Sequence, residues 1–164
     1  MVSQDQILDP EFLSGQASIV ATEIEQIYQS IPVGLALLDT DLRYIRVNEH
    51  LARMHGLPVE AHLGKRVSEV IPDIFPALEK SLLHVLNTGE PITNIEINGR
   101  MPRDRFSVGC WLANIHAVFA PDGSVRGIHA LVQDITQRKQ AEKALRQSEE
   151  RFRQVAQCAG DFIW

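Results

Sequence analysis

The sequence predicts an α+β fold in which five antiparallel strands form one sheet and helices gather on one of its faces. Three observations lead there. After Pro91 the hydrophobic period changes to two, so that Ile92–Asn98, Arg105–Ala120 and Val125–Ile135 read as three successive strands. Two shorter strands, Gly34–Leu38 and Leu42–Val47, precede the helical segments and are joined by the turn Asp39-Thr40-Asp41. Finally, 164 residues at 45% hydrophobic content suffice for one buried core with extensions and are short for two.

In chain order, residues 1–18 read as a leader that mixes polar residues with Pro10 and Gly15. Ile19, Ile24, Ile27 and Tyr28 then mark an amphipathic flanking helix over 19–30 that stops before Pro32. Beyond the hairpin, Asn48 is a good N-cap for a helix with Leu51, Met54 and His55 on one face and Gly56 as its C-cap. Short helices are expected from Val59 to Ile71, and a longer one from Phe75 to Asn87, ended by Gly89 and Pro91. Between the last two strands, Pro121-Asp122-Gly123 is a turn.

The final strand runs into a helix with no Gly or Pro break. Asp134 and Thr136 both suit an N-cap, and Ala141, Leu145, Ser148, Phe152 and Val155 recur at the four-three spacing of a heptad seam. Glu142 with Arg146 and Glu149 with Arg153 place acid before base at i,i+4, about 0.2–0.5 kcal/mol each. The seam is weak, because Ala141 and Ser148 bury little over barely three heptads. A short two-stranded coil and a solvated single helix both remain open.

Charge and cysteine content narrow the function. The net charge is -5, and the first 42 residues hold seven acids and no Lys or Arg, so no clustered basic face points to nucleic acid. Cys110 and Cys158 lie far apart without metal-ligand spacing, which fits a reducing cytoplasm and no metal site. No apolar run reaches the 18 residues of a membrane helix, and the N-terminus lacks the order of a secretory signal, so any tether is expected beyond Trp164. There is no Gly-rich phosphate loop, nucleophile elbow or assembled Ser, His and Asp set, so this segment is not read as an enzyme.

Several short motifs recur in a familiar order between Ile24 and Thr136. They are Ile31-Pro32-Val33-Gly34 before the first strand, Val47-Asn48 with Gly56 after the second, Thr88-Gly89-Glu90-Pro91 before the third, Trp111-Leu112 leading to Asp122-Gly123, and the terminal Asp134-Ile135-Thr136. With Arg138-Lys139-Gln140-Ala141-Glu142 following, the chain resembles the PAS domain, a sensory and dimerising module of bacterial signalling proteins. The resemblance implies a PAS domain over 31–136, a helical linker over 137–155 and the truncated start of a second PAS domain over 156–164. Ser148-Glu149-Glu150-Arg151-Phe152-Arg153 and Gly160-Asp161-Phe162-Ile163-Trp164 carry that last expectation.

A ligand site in such a fold lies between the sheet and the helices. On the long strand, Cys110, Leu112, Asn114, His116 and Val118 share one face, and Trp111, Ala113, Ile115, Ala117 and Phe119 the other; both are apolar enough that alternation does not choose. Position in the PAS pattern puts Asn114 and His116 toward the pocket and Trp111 outward, giving Met54, Leu82, Leu112, Asn114 and His116 as pocket candidates. A purely structural role for Asn114 and His116 stays open beside that reading. His129, alternating with Ile128, Ala130 and Val132, is placed outside the core.

The resemblance also allows cofactors to be weighed. Photoreactive flavin members carry a Gly-x-Asn-Cys motif, but Met54–Lys65 holds no Cys. Haem members carry an axial His on the long helix where this chain has Leu78. His84 on that helix reads as a polar-face residue, and His50, His55 and His62 form no metal-spaced pair on one face except through turns between helices, so the ligand is left unidentified and flavin, haem and metal are not expected. The expected function is a sensor that relays a ligand- or redox-dependent change through Asp134, Ile135 and Thr136 into a helix with seam residues Ala141, Leu145, Phe152 and Val155. Its partners are a second copy joined through the flanking helices and a downstream output domain, a histidine kinase first and a diguanylate cyclase second. A ligand-free PAS domain that dimerises and spaces its neighbours is the alternative.

Overall fold

The first hairpin closes on one carboxylate. Asp39 accepts the amides of Asp41 and Arg43 at 2.9 and 2.8 Å, and Leu42 turns the corner with φ 59°. Because Leu42 is spent on the turn, the second strand begins at Tyr44, two residues later than expected. In the computed structural model, which describes residues 10–160, the order is α1 (Pro10–Ser30), β1 (Gly34–Leu38), β2 (Tyr44–Val47), α2 (Glu49–His55), a 3₁₀ turn (Val59–Ala61) and α3 (Val67–Val70). Then come α4 (Phe75–Thr88), β3 (Ile92–Met101), β4 (Asp104–Phe119), β5 (Val125–Asp134) and α5 (Thr136–Gly160).

Both flanking helices are longer than expected. α1 takes in part of the predicted leader, since proline suits a first helical turn and Gly15 costs a helix interior only about 1 kcal/mol. α5 continues through residues 156–160, where the opening of a second domain was expected; residues 161–164 of that expectation lie outside the described residues. Its i,i+4 ion pairs are Arg138–Glu142 and Arg146–Glu150, not the acid-first pairs read from the sequence. Arg146 can reach either Glu142 or Glu150 and takes Glu150.

The α+β architecture is as predicted: one antiparallel sheet in the order β2-β1-β5-β4-β3, with α2, α3 and α4 packed on one face. Asn48, fully buried, ties the entry of the domain together. Its Oδ1 accepts the amides of Leu35 and Leu51, both at 2.9 Å, so it caps α2 as expected, while its Nδ2 donates to the carbonyls of Tyr28 and Val33. α1, β1 and α2 thus converge on one side chain whose donors and acceptor are all used. Gly56 and Gly89 end α2 and α4 in the left-handed region, at φ 72° and 74°.

The orientation of β4 is the reverse of the expected one. Trp111, Ala113 and Ile115 are 5%, 2% and 1% exposed and belong to the core, whereas His116 is exposed on the opposite face. The register decides what alternation could not: Ala113 and Ile115 stand opposite Val132 and Ala130, so they share the face of the apolar set Ile128, Ala130 and Val132. Gly109 makes room for the indole, since a Cβ there would meet the Trp111 ring at 2.4 Å. His129 pairs with His116 on the outer face, away from the helices, where the sequence placed it.

Candidate functional site

Two places in this frame carry chemistry. The first is a cavity of about 40 Å³ between the sheet and the helices. Its walls are Ala36, Leu38, Leu51, Leu78, Leu82 and other apolar side chains, and among the described residues Tyr44 and His55 are its only polar members. Of the predicted pocket residues, only Leu82 lines it. Met54, half-buried, packs beside Gly34 and faces a separate open groove with Met101, Trp111 and Thr136.

Leu112, Asn114 and His116 lie on the outer face of β4 and cannot reach the cavity. Asn114 has a local task there: its Oδ1 accepts the amide of Asn94 at 2.8 Å, supporting a residue held at φ 59°. His116 stands opposite His129, whose pKa is lowered by burial and then by the charge of His116. Leu78 does line the cavity, an apolar side chain where haem-binding relatives were expected to carry histidine.

The sequence reading missed the central polar group, because it allowed His55 and His62 to meet only through turns between helices and built nothing on that meeting. α2 brings His55 inward on the same face as Leu51, and the turn through Pro58 and Val59 folds His62 back over it. The rings stack with centroids 5.2 Å apart, and His55 Nδ1 lies 3.0 Å from His62 Nε2. His62 Nδ1 lies 2.9 Å from the Pro58 carbonyl, and Tyr44 meets both rings edge-on. Both histidines are nearly sealed from solvent, at 2% and 0% exposure. Burial, reinforced by the neighbouring His62, drives the His55 pKa down to about 3, and burial also lowers that of His62. Burial raises the Tyr44 hydroxyl well above its ordinary value. All three groups are therefore neutral at pH 7. The available signal was a histidine on an apolar helix face with a second histidine seven residues on, across a proline turn.

The second place is the junction of β5 with α5. Asp134 accepts the amide of Thr136 at 2.9 Å and so satisfies the first amide of α5 from one residue ahead of the N-cap position, which Ile135 occupies. Thr136 turns its side chain the other way, onto β4: its hydroxyl oxygen accepts the Cys110 amide at 2.9 Å and its proton goes to the Cys110 carbonyl at 3.3 Å. The Ile135 amide donates to that same carbonyl at 2.9 Å, and the Ile135 side chain is buried. Lys139, one turn on, pairs with Glu96 of β3 at 2.8 Å. Beyond this first turn the helix leaves the sheet, and Leu145, Phe152 and Val155 are 63%, 77% and 66% exposed, with Ala141 exposed on the same seam.

Comparison with known proteins sets this geometry in context. A family model described as the PAS fold matches residues 28–140, well over half of the chain. No curated protein matches the sequence. Among solved structures, the PAS domain of a protein from Colwellia psychrerythraea is similar at a TM-score of 0.60 and 13% identity, covering 72% of this chain and 98% of that one. An RNA-binding light-oxygen-voltage receptor gives 0.67 at 16% identity, with 87% of this chain and 39% of the receptor covered. A PAS domain from a two-component sensor histidine kinase gives 0.54 at 12% identity, covering 72% and 98%. At these identities the likeness is one of fold alone.

Proposed function

The chain belongs to the PAS family, and from that premise we propose that it is the sensory and dimerising module of a signalling protein, relaying a change in the cavity through the Asp134–Thr136 junction into α5. The observation that carries this reading is the exit itself. α5 is fixed to the sheet by its first residues and by Lys139, and then presents a seam of Ala141, Leu145, Phe152 and Val155 that nothing among the described residues covers. A second copy, aligned through α5 and α1, is the proposed occupant. α1 repeats the pattern, with Val20, Ile24 and Ile27 exposed at heptad spacing.

The proposed receiver is an output domain beyond this chain, a histidine kinase before a diguanylate cyclase; one of the structurally similar PAS domains comes from a sensor histidine kinase. We assign no catalysis to the segment itself. The cavity size favours a ligand of few atoms over a flavin or a haem, since drug-sized ligands occupy sites of about 300–1,000 Å³. The same small cavity supports a second reading, a ligand-free spacer that only dimerises. The test is the longer protein carrying Thr136→Val. Under the sensory reading its output loses ligand dependence while the domain stays folded; regulation at wild-type strength would rule out the junction as the relay.

A further inference from the structure

The hydrogen-bond chain through the two buried histidines has a fixed direction. The Pro58 carbonyl can only accept, so His62 Nδ1 carries the proton that reaches it. A neutral His62 then offers an unprotonated Nε2, which obliges His55 Nδ1 to be the donor across their 3.0 Å contact. A neutral His55 with its proton on Nδ1 has a bare lone pair on Nε2. Among the described residues no side-chain nitrogen or oxygen closed off from a water-sized probe lacks a partner, and His55 lines the cavity, so this nitrogen opens onto it.

One backbone carbonyl therefore sets the polarity of the histidine side of the cavity wall, while Tyr44, the other polar residue of the lining, carries a hydroxyl that can donate or accept. Building on the sensory reading above, we infer that the cavity selects a small, neutral, largely apolar molecule bearing one O–H or N–H group, which donates a hydrogen bond to His55 Nε2. Neutrality follows from the lining, which includes no Asp, Glu, Lys or Arg to compensate a charge taken out of water. Size follows from the volume. At about 10–15 Å³ for each water-sized site, 40 Å³ admits about three or four heavy atoms before the walls must move.

The experiment uses the ¹⁵N-labelled protein and two probes with the same four-heavy-atom skeleton, 2-propanol, which donates, and acetone, which does not. Imidazole correlation spectra of the free protein are expected to show both His55 and His62 protonated at Nδ1; a His55 proton on Nε2 overturns the inference before any probe is added. In titrations, 2-propanol should shift the His55 Nε2 resonance together with the Leu51, Leu78 and Leu82 methyls, and bind about two- to tenfold more tightly than acetone, the worth of one net hydrogen bond. His55→Phe, which keeps a ring and removes the nitrogen, should bring the two affinities together. Because that change also strips His62 of its donor, the wild-type titration decides if the variant unfolds. Equal binding of the two probes sinks the donor selectivity and leaves the cavity as a sensory site. If neither probe reaches the methyls, the cavity takes no ligand and both readings fall in favour of the spacer.

Discussion

Lowering the pH from 7 to 5.5 is expected to weaken the fold by about 1.3 kcal/mol through His55 alone. The ring titrates at its ordinary 6.5 in the unfolded chain and at about 3 when buried against His62. Between those values the unfolded chain binds a proton that the native state refuses. The stability His55 contributes is thus fully present above pH 6.5 and is lost progressively as the pH falls toward 3. The whole interval is worth about 4.8 kcal/mol, at roughly 1.4 kcal/mol per unit. The window from 7 to 5.5 lies above the ordinary carboxylate range, and hydrogen bonds from Ser107 and Ser124 hold Asp104 and Asp122 lower still. His62 and His129 are shifted in the same direction and add to the total, so the comparison must be with a variant.

The assay is urea unfolding followed by far-ultraviolet circular dichroism at both pH values, for the wild type and for His55→Phe, with the slope m checked for constancy. The variant should be less stable at pH 7 by about 1–3 kcal/mol, because His62 Nε2 loses its donor in a buried place. Its loss between pH 7 and 5.5 should nonetheless be smaller than that of the wild type by about 1 kcal/mol, equivalent to about 2–4 °C in Tm for a chain of this size. Parallel losses in the two proteins would refute the argument, since they would mean that His55 is not the group excluded from protonation.

Three further outcomes follow from the geometry. Trp111→Ala should destabilise by about 3–5 kcal/mol while His116→Ala stays within about 0.5 kcal/mol, both read from urea midpoints; the opposite ranking would restore the discarded orientation of β4. Thr136→Val, which leaves the Cys110 amide without its acceptor, should raise hydrogen exchange in the first turn of α5 more than the exposed change Asp134→Ala does. Equal effects would make Thr136 no more than a second support for that turn. The double change Leu145→Glu with Phe152→Glu should shift sedimentation equilibrium toward monomer with the urea midpoint unmoved, and an unchanged association constant would exclude α5 as the dimer seam.

What the sequence disclosed, and what it withheld, divides along range. Local signals carried the elements: Asn48 and Gly56 bounded α2, Gly89 ended α4, and the period of two after Pro91 announced β3 to β5. Pairing across the sheet was not local. Both faces of β4 are apolar enough to be buried, and only the register against Ala130 and Val132 shows which one is. Part of that answer was present, because the apolar alternation in β5 was recognised and its partner on β4 had to share its face. The histidine pair was hidden for a different reason. Its contact spans seven residues across two turns, and no periodic pattern reports a distance of that kind.

The proposed relay can be put on an energetic footing at the point where the two faces of β4 meet. Trp111 is packed in the core, and its neighbour Cys110 has its amide held by Thr136 and its carbonyl shared by Thr136 and Ile135. In the proposed relay, a displacement of the indole by repacking of the core would move the Cys110 peptide and so strain three hydrogen bonds at the root of α5. At about 0.5–1.5 kcal/mol net for each bond, the junction stores about 1.5–4.5 kcal/mol, the scale of a typical allosteric coupling of 1–3 kcal/mol. The seam below suits that scale. With Ala141 and Ser148 at two of its positions it buries little, so a coil formed there would be stable by only a small margin. A strong coil would resist an input of a few kcal/mol; one built on these residues can be reset by it.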